Sequence, residues 1–131
     1  MNLKEIAQLV EANFVTGADE AEREVSHAFA ADLLSDVLTM VREEGVLLIT
    51  GMTAPQVVRV AEVMNMGAVL FVRGKLPTAA TVEYAMGTGI PILATRWTMF
   101  ETCGILYKAG VQAAQRKPMP LDHGLPDTAR L

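Results

Sequence analysis

The chain alternates between continuous apolar runs and stretches in which apolar residues recur every three or four positions. The apolar runs are typical of strands that are buried on both faces of a sheet. A further short strand is predicted over 13–16, where Gly17 ends it. The four longer strands are predicted at 25-VSHAFA-30, 46-VLLIT-50, 68-AVLFV-72 and 90-IPILAT-95.

Helices are predicted before, between and after these strands. Near the start, apolar residues at helical spacing indicate a short amphipathic helix: Leu3, Ile6, Ala7 and Val10. A second helix is predicted to begin with Asp32 as its cap and to bury Leu33, Leu34, Val37, Leu38 and Val41. Three later helices are predicted from about Pro55 to Met66, up to Gly87 or Gly89, and from Thr98 towards Gly110.

This alternation predicts an α/β fold with three layers, in which a mostly parallel sheet of about five strands lies between helices. The domain is predicted to span 1–113. A tail over 114–131 follows, and its three prolines and lack of periodicity indicate flexibility unless it docks on its own domain or on a neighbour.

Composition narrows the function classes. The 131 residues carry a net charge of −4, which argues against nucleic-acid binding because that requires a basic face. No apolar run is long enough to cross a bilayer, and 1-MNLKEIAQLVEA-12 does not resemble a signal peptide. With a single cysteine and no export signal, the cytoplasm is the expected compartment.

Candidate binding residues follow the predicted strands. In a parallel sheet, the loops at the carboxyl ends of the strands form the binding crevice, and helix N-termini and arginines there favour anions. The alternative is that Arg73 and Arg96 are solvated loop charges. Neither a Walker loop nor a G-x-G-x-x-G motif is present. The candidate ligand-binding residues are Asp32, Ser35, Thr50, Gly51, Thr53, Arg73, Gly74, Arg96 and Thr98.

No catalytic residue, metal ligand or cofactor is predicted. His27 lies within an apolar run and is interpreted as a core or interface histidine, while His123 lies in the tail. Neither has a partner at metal-ligand spacing. Cys103 is predicted to pack on the inner side of the last helix, and Asp36 is predicted to be a surface carboxylate.

In this order, several segments resemble the DRTGG domain, over roughly residues 3 to 111. The segments that carry the resemblance are 32-DLLSDVL-38, 46-VLLIT-50 with Gly51, 68-AVLFVRGKLP-77, 89-GIPILATRWTMFET-102 and Tyr107. The family includes a middle module of phosphotransacetylases and modules beside CBS domains in pyrophosphatases. It is similar to the N-terminal domain of HPr kinase/phosphorylase. The resemblance implies a regulatory module that self-associates and does not itself catalyse.

The chain departs from the family at the motifs that give it its name. Met52-Thr53 stands where the family has Asp-Arg, and Val72-Arg73-Gly74 stands where it has Thr-Gly-Gly. Gly74 is therefore the one motif residue retained. If the Asp-Arg pair holds a ligand, this chain either has lost that function or supplies the charge from Arg73.

Three functions are compatible with the sequence. The first is a regulatory or sensor domain that forms a homodimer and binds a small anionic metabolite or nucleotide. The second is an interaction or scaffold module with a protein partner and no ligand. The third, a small phosphotransfer enzyme, is disfavoured by the missing phosphate loop. The dimer is inferred from the small size, eight methionines and a mean hydropathy of +0.30.

Overall fold

The computed structural model describes residues 1–115 and 117–121. Five α-helices are present in this part of the chain: α1 (Leu3–Leu9), α2 (Leu34–Met40), α3 (Pro55–Val63), α4 (Ala79–Thr88) and α5 (Met99–Lys108). Six strands accompany them: β1 (Asn13–Thr16), β2 (His27–Ala30), β3 (Leu47–Thr50), β4 (Ala68–Phe71), β5 (Ile92–Ala94) and β6 (Gln112–Ala113). A short 3-10 helix, Ala18–Glu20, follows β1.

The strands form a single sheet in the order β1-β5-β4-β3-β2-β6. Every neighbouring pair is parallel except β1 and β5, which pair antiparallel. The predicted α/β class and mostly parallel sheet are confirmed. The sheet has six strands rather than about five because β6, two residues long, is too short to leave a pattern in the sequence.

Helices cover both faces of the sheet, which confirms the three layers. On one face, α2, α3 and α4 bury Val37, Val57, Val58 and Ala85 against the sheet. On the other face, α1 and α5 bury a second apolar cluster that contains Leu3, Ile6, Leu47, Leu70 and Leu106. Both central strands, β3 and β4, are buried at every position, as their continuous apolar sequences predict.

Helix α2 differs from its prediction in both its cap and its buried face. It begins at Leu34, its N-cap is Leu33, and the cap makes no side-chain hydrogen bond. The prediction that Asp32 caps this helix is therefore wrong. Leu33 and Leu38 were expected to be buried but are 60% and 46% exposed, because only one narrow side of this short helix reaches the sheet.

Two other predicted side chains occupy edge or half-buried positions. His27, at the start of β2, is half-buried, and its Nδ1 lies 3.0 Å from Glu43 Oε2 and 2.8 Å from Ser26 Oγ. It thus lies near the sheet edge, where β2 pairs with β6, rather than in the central core. Cys103 is half-buried and packs against the apolar cluster that α1 and α5 cover, as predicted.

The predicted tail is only partly within the described residues. Residues 117–121 are all exposed, whereas His123 and Pro126 lie outside the described residues. Across the part of the chain that the structure describes, no helix has the length and apolar character needed to cross a bilayer.

Candidate functional site

The carboxyl ends of β2, β3, β4 and β5 lie along one edge of the sheet, because these strands are parallel and adjacent. After β4 the chain passes to α4 on one face, and after β5 it passes to α5 on the other. Neighbouring strands whose connections leave to opposite faces create a crevice at their carboxyl ends, where α/β proteins commonly bind ligands. In this sheet, the connections change from one face to the other between the ends of β4 and β5.

Asp32 joins the ends of β2 and β3. Its Oδ1 accepts a hydrogen bond of 2.8 Å from the Gly51 backbone N–H and one of 3.1 Å from Thr50 Oγ1. The same Thr50 hydroxyl accepts from the Met52 N–H at 3.2 Å, which tightens the turn after β3. The carboxylate that was predicted to cap α2 instead fixes the turn of the neighbouring strand.

Gly51 lies directly under Arg73. A Cβ at position 51 would come within 2.9 Å of Arg73 Nε and 3.5 Å of Asp32 Oδ1, so the arginine can lie over this backbone only because residue 51 is glycine. Among the described residues, the exposed Arg73 guanidinium has no hydrogen bond or ion pair. The Arg73 guanidinium therefore lies at the strand ends with its N–H groups available to bind a ligand.

The loop after β4 is tied to the loop after β5. Arg73 and Gly74 both have positive φ, 56° and 72°. In this conformation the Arg73 N–H donates to Trp97 O at 2.7 Å, and the Gly74 N–H donates to Thr95 O at 3.0 Å. The sheet-like pairing thus continues past the ends of β4 and β5 and positions both loops firmly.

A cleft of about 680 Å³ opens beside these two loops, towards β1. At its base, the buried Thr95 hydroxyl donates to Val10 O at 2.6 Å and accepts from the Trp97 N–H at 3.2 Å. Arg96 is exposed and Trp97 is 40% exposed. The cleft is lined by Glu11, Asn13, Val15, Gly74, Leu76, Ala94, Thr95, Arg96 and Trp97.

The lining residues include an arginine, a tryptophan, an asparagine and a glutamate, together with several apolar residues. A guanidinium binds phosphate or carboxylate through two parallel hydrogen bonds. An indole offers a flat surface on which a planar ring can stack. Chemically, the cleft suits a ligand that has both an anionic group and a planar group, whereas Glu11 disfavours a second anion near it.

The structure brings some of the predicted residues together and separates others. Asp32, Thr50, Gly51 and Arg73 form one contact group, while Gly74 and Arg96 line the cleft. The remaining three are placed as follows: Ser35 in the first turn of α2, Thr98 as the side-chain cap of α5, and Thr53 with its carbonyl accepting from Thr81 Oγ1 at 2.6 Å.

Sequence reasoning missed Glu11, Asn13 and Trp97. The first two precede or begin β1, which is antiparallel to β5, so Asn13 lies opposite Ala94 at the carboxyl edge. Strand order cannot be read from local patterns, so nothing in the sequence marked these two residues. Trp97 did carry a signal, since it is the only tryptophan and directly follows Arg96 at a strand end.

Two observations on the described part of the chain concern metal ligands and nucleophiles. No group of three or more His, Cys, Asp or Glu side chains suited to a metal ion occurs among those residues. The pKa of the Cys103 thiol is raised by burial, which disfavours the reactive thiolate.

A family model for the DRTGG domain matches residues 5–109. The chain belongs to the DRTGG domain family. The resemblance seen in the sequence is thereby confirmed, including over the segments that depart from the family's naming motifs. No curated protein matches the chain.

Among solved structures, the chain is similar to the crystal structure of the CBS and DRTGG domains of the regulatory region of Clostridium perfringens pyrophosphatase, complexed with an activator, diadenosine tetraphosphate. The TM-score is 0.67 at 14% sequence identity, and the match covers 88% of this chain and 50% of that one. At this identity the similarity establishes the fold. The chain spans half the length of this neighbour, which also contains CBS domains.

Proposed function

We propose that this DRTGG domain is a non-catalytic regulatory module that binds a small anionic ligand, a nucleotide or a phosphorylated metabolite, in the cleft beside β5. The observation that carries the proposal is that Arg96 and Trp97 both line the cleft beside the loops that follow β4 and β5. There, a guanidinium for the anion and an indole for a planar ring line the same cleft.

Two further observations support a ligand of this class. Arg73, at the neighbouring strand end, offers a second cation within the same edge of the sheet. The pyrophosphatase regulatory region, which shares the fold, was crystallised with a dinucleotide activator.

We also propose that the domain comprises 1–113, with 114–131 as an appended tail, and that it works as a homodimer.

Calorimetric titration tests the proposal directly. The panel is diadenosine tetraphosphate, ATP, AMP and inorganic phosphate, each titrated into wild type, Arg96→Ala and Arg73→Ala. Arg42→Ala is the matched control, because Arg42 is exposed in the loop that precedes β3, at the opposite edge of the sheet. Hydrogen bonds to a charged group contribute about 1.5–3 kcal/mol, so Arg96→Ala should weaken binding by roughly 10- to 100-fold.

The expected result is saturable binding of at least one nucleotide, weakened in Arg96→Ala and unchanged in Arg42→Ala. Phosphate alone should bind more weakly than a nucleotide, since it leaves Trp97 without a partner. Binding that is equally strong in wild type, Arg96→Ala and Arg73→Ala would contradict this site. Turnover of ATP by homogeneous protein would contradict the non-catalytic function.

A protein-interaction role is the second candidate, and it is favoured by the outward surface of α5. Phe100 is 86% exposed and Tyr107 is 73% exposed on this helix. Large aromatic side chains on the surface commonly mark an interaction site. The two functions are compatible, because the cleft and this helix surface involve different residues.

A further inference from the structure

The outward surface of α5 has an unusual composition. Thr102 and Leu106 face the core and are fully buried, whereas every residue on the opposite side is exposed. We call this opposite side the α5 outer face; its members are Phe100, Glu101, Gly104, Tyr107 and Lys108. It contains two of the seven aromatic residues in the chain, both more exposed than Trp97.

Gly104, at the centre of this face, has no role within the subunit that requires glycine. A Cβ at position 104 would have no heavy atom within 4 Å, and glycine destabilises a helix interior relative to alanine. A glycine at the middle of an exposed helix face allows the backbone of a second helix to approach closely, with the aromatic side chains packing on either side.

The α5 outer face can pair with a second copy of itself when the two helices run in opposite directions. Phe100 and Tyr107 lie seven residues apart along one flank of the face, and Glu101 and Lys108 lie seven residues apart along the other. If two α5 helices pack antiparallel around a two-fold axis near Gly104, Phe100 of each meets Tyr107 of the other. On the second flank, Glu101 of each meets the oppositely charged Lys108 of the other.

We infer that the α5 outer face is the surface through which this domain binds a second copy of itself. The inference rests on the homodimer in the proposed function and assigns its interface. Charge complementarity favours a second copy of this chain as the partner. The face carries both the acidic and the basic member of each charge pair, in the positions that an antiparallel two-fold requires.

A shallow apolar groove lies along the aromatic flank of the face. It has a volume of about 190 Å³ and is lined by the small side chains of Ala28 and Ala30, together with Cys103, Leu106 and Tyr107. The groove gives Phe100 of the second copy an apolar surface to enter. Four buried aromatic side chains, at about 150–250 Å² each, would supply roughly half of a standard interface of about 1,600 Å².

Light scattering coupled to size-exclusion chromatography tests the interface on the full chain. Wild type should have a mass of twice 14.1 kDa at micromolar concentrations and above. Phe100→Glu should shift the equilibrium to monomer by at least 10-fold in the dissociation constant. The matched control is Val63→Glu, at the end of α3, where Val63 is 76% exposed against 86% for Phe100; this variant should leave the dimer intact.

Reversing the charges of Glu101 and Lys108 separates a loss of the interface from a loss of folding, because a folding defect would not be rescued by the second reversal. Glu101→Lys should weaken the dimer, since it places two lysines opposite each other in each pair, and adding Lys108→Glu should restore it. Circular dichroism confirms that each variant is folded. A monomeric wild type would overturn both the homodimer and this interface. A dimer unaffected by Phe100→Glu and by Glu101→Lys would overturn this interface alone.

Discussion

Replacing Asp32 with alanine tests how the candidate site is held together. The carboxylate accepts hydrogen bonds from the Gly51 N–H at 2.8 Å and from the Thr50 hydroxyl at 3.1 Å. Both donors are buried at the strand end, and Thr50 is fully inaccessible. In Asp32→Ala, these donors lose their acceptor and regain a hydrogen bond only where water can reach them.

The magnitude follows from these contacts. A hydrogen bond to a charged group contributes about 1.5–3 kcal/mol, and an unsatisfied buried donor costs about 1–3 kcal/mol. Because Asp32 itself is exposed, water can enter where its side chain was and recover part of this loss. We expect Asp32→Ala to lower the free energy of unfolding by about 2 kcal/mol, which corresponds to a fall in Tm of roughly 6–10 °C for a domain of this size.

Urea unfolding at neutral pH measures the effect. Asp32→Asn retains an acceptor oxygen and should lose about half as much stability as Asp32→Ala. Asp19→Ala, an exposed carboxylate near β1, serves as the control and should change stability by less than about 0.5 kcal/mol. If Asp32→Ala unfolds at the same urea concentration as Asp19→Ala, the hydrogen bonds to Gly51 and Thr50 do not stabilise the strand ends.

Two further predictions concern packing and thiol chemistry. Gly67→Ala should destabilise the protein by about 1–3 kcal/mol, because its Cβ would lie 2.8 Å from the Gly45 carbonyl oxygen. Gly87→Ala, in an open position on α4, should instead stabilise it by about 0.5–1 kcal/mol; chemical denaturation of both variants distinguishes a local clash from a general effect of alanine. Cys103 should react with iodoacetamide at pH 8 more slowly than free cysteine, with a rate that still rises above pH 9, because burial raises its pKa. Reaction at pH 7 as fast as that of free cysteine would contradict this account and would indicate an activated thiol.

The layers of the fold could be predicted because the continuous apolar runs require a particular structure. A strand with a continuous apolar sequence such as 68-AVLFV-72 is stable only when both faces of the sheet are covered, and β4 is buried throughout. The prediction failed where a side chain had a choice of partners. Asp32 fits the pattern of a helix cap, but the Gly51 N–H in the turn after the adjacent strand provides a competing donor that local sequence cannot reveal.

The candidate site shows the same limit. Arg73, Gly74 and Arg96 could be predicted because each follows a strand, and parallel strands end at one edge. Glu11 and Asn13 could not, since they reach this edge only through the antiparallel pairing of β1 with β5. The aromatic flank of α5 was also hidden, because Phe100 and Tyr107 resemble core residues until their exposure is known.

An NMR titration can locate the proposed binding of a small anionic ligand, such as a nucleotide, to the cleft beside β5. At 14.1 kDa per chain, a ¹⁵N-labelled sample titrated with diadenosine tetraphosphate should give assignable shift changes. We expect the largest changes at the Trp97 indole N–H and at the backbone N–H groups of Gly74 and Arg96. Changes centred instead on the opposite edge of the sheet, around Arg42, or on the α5 outer face would show that the ligand does not bind in this cleft.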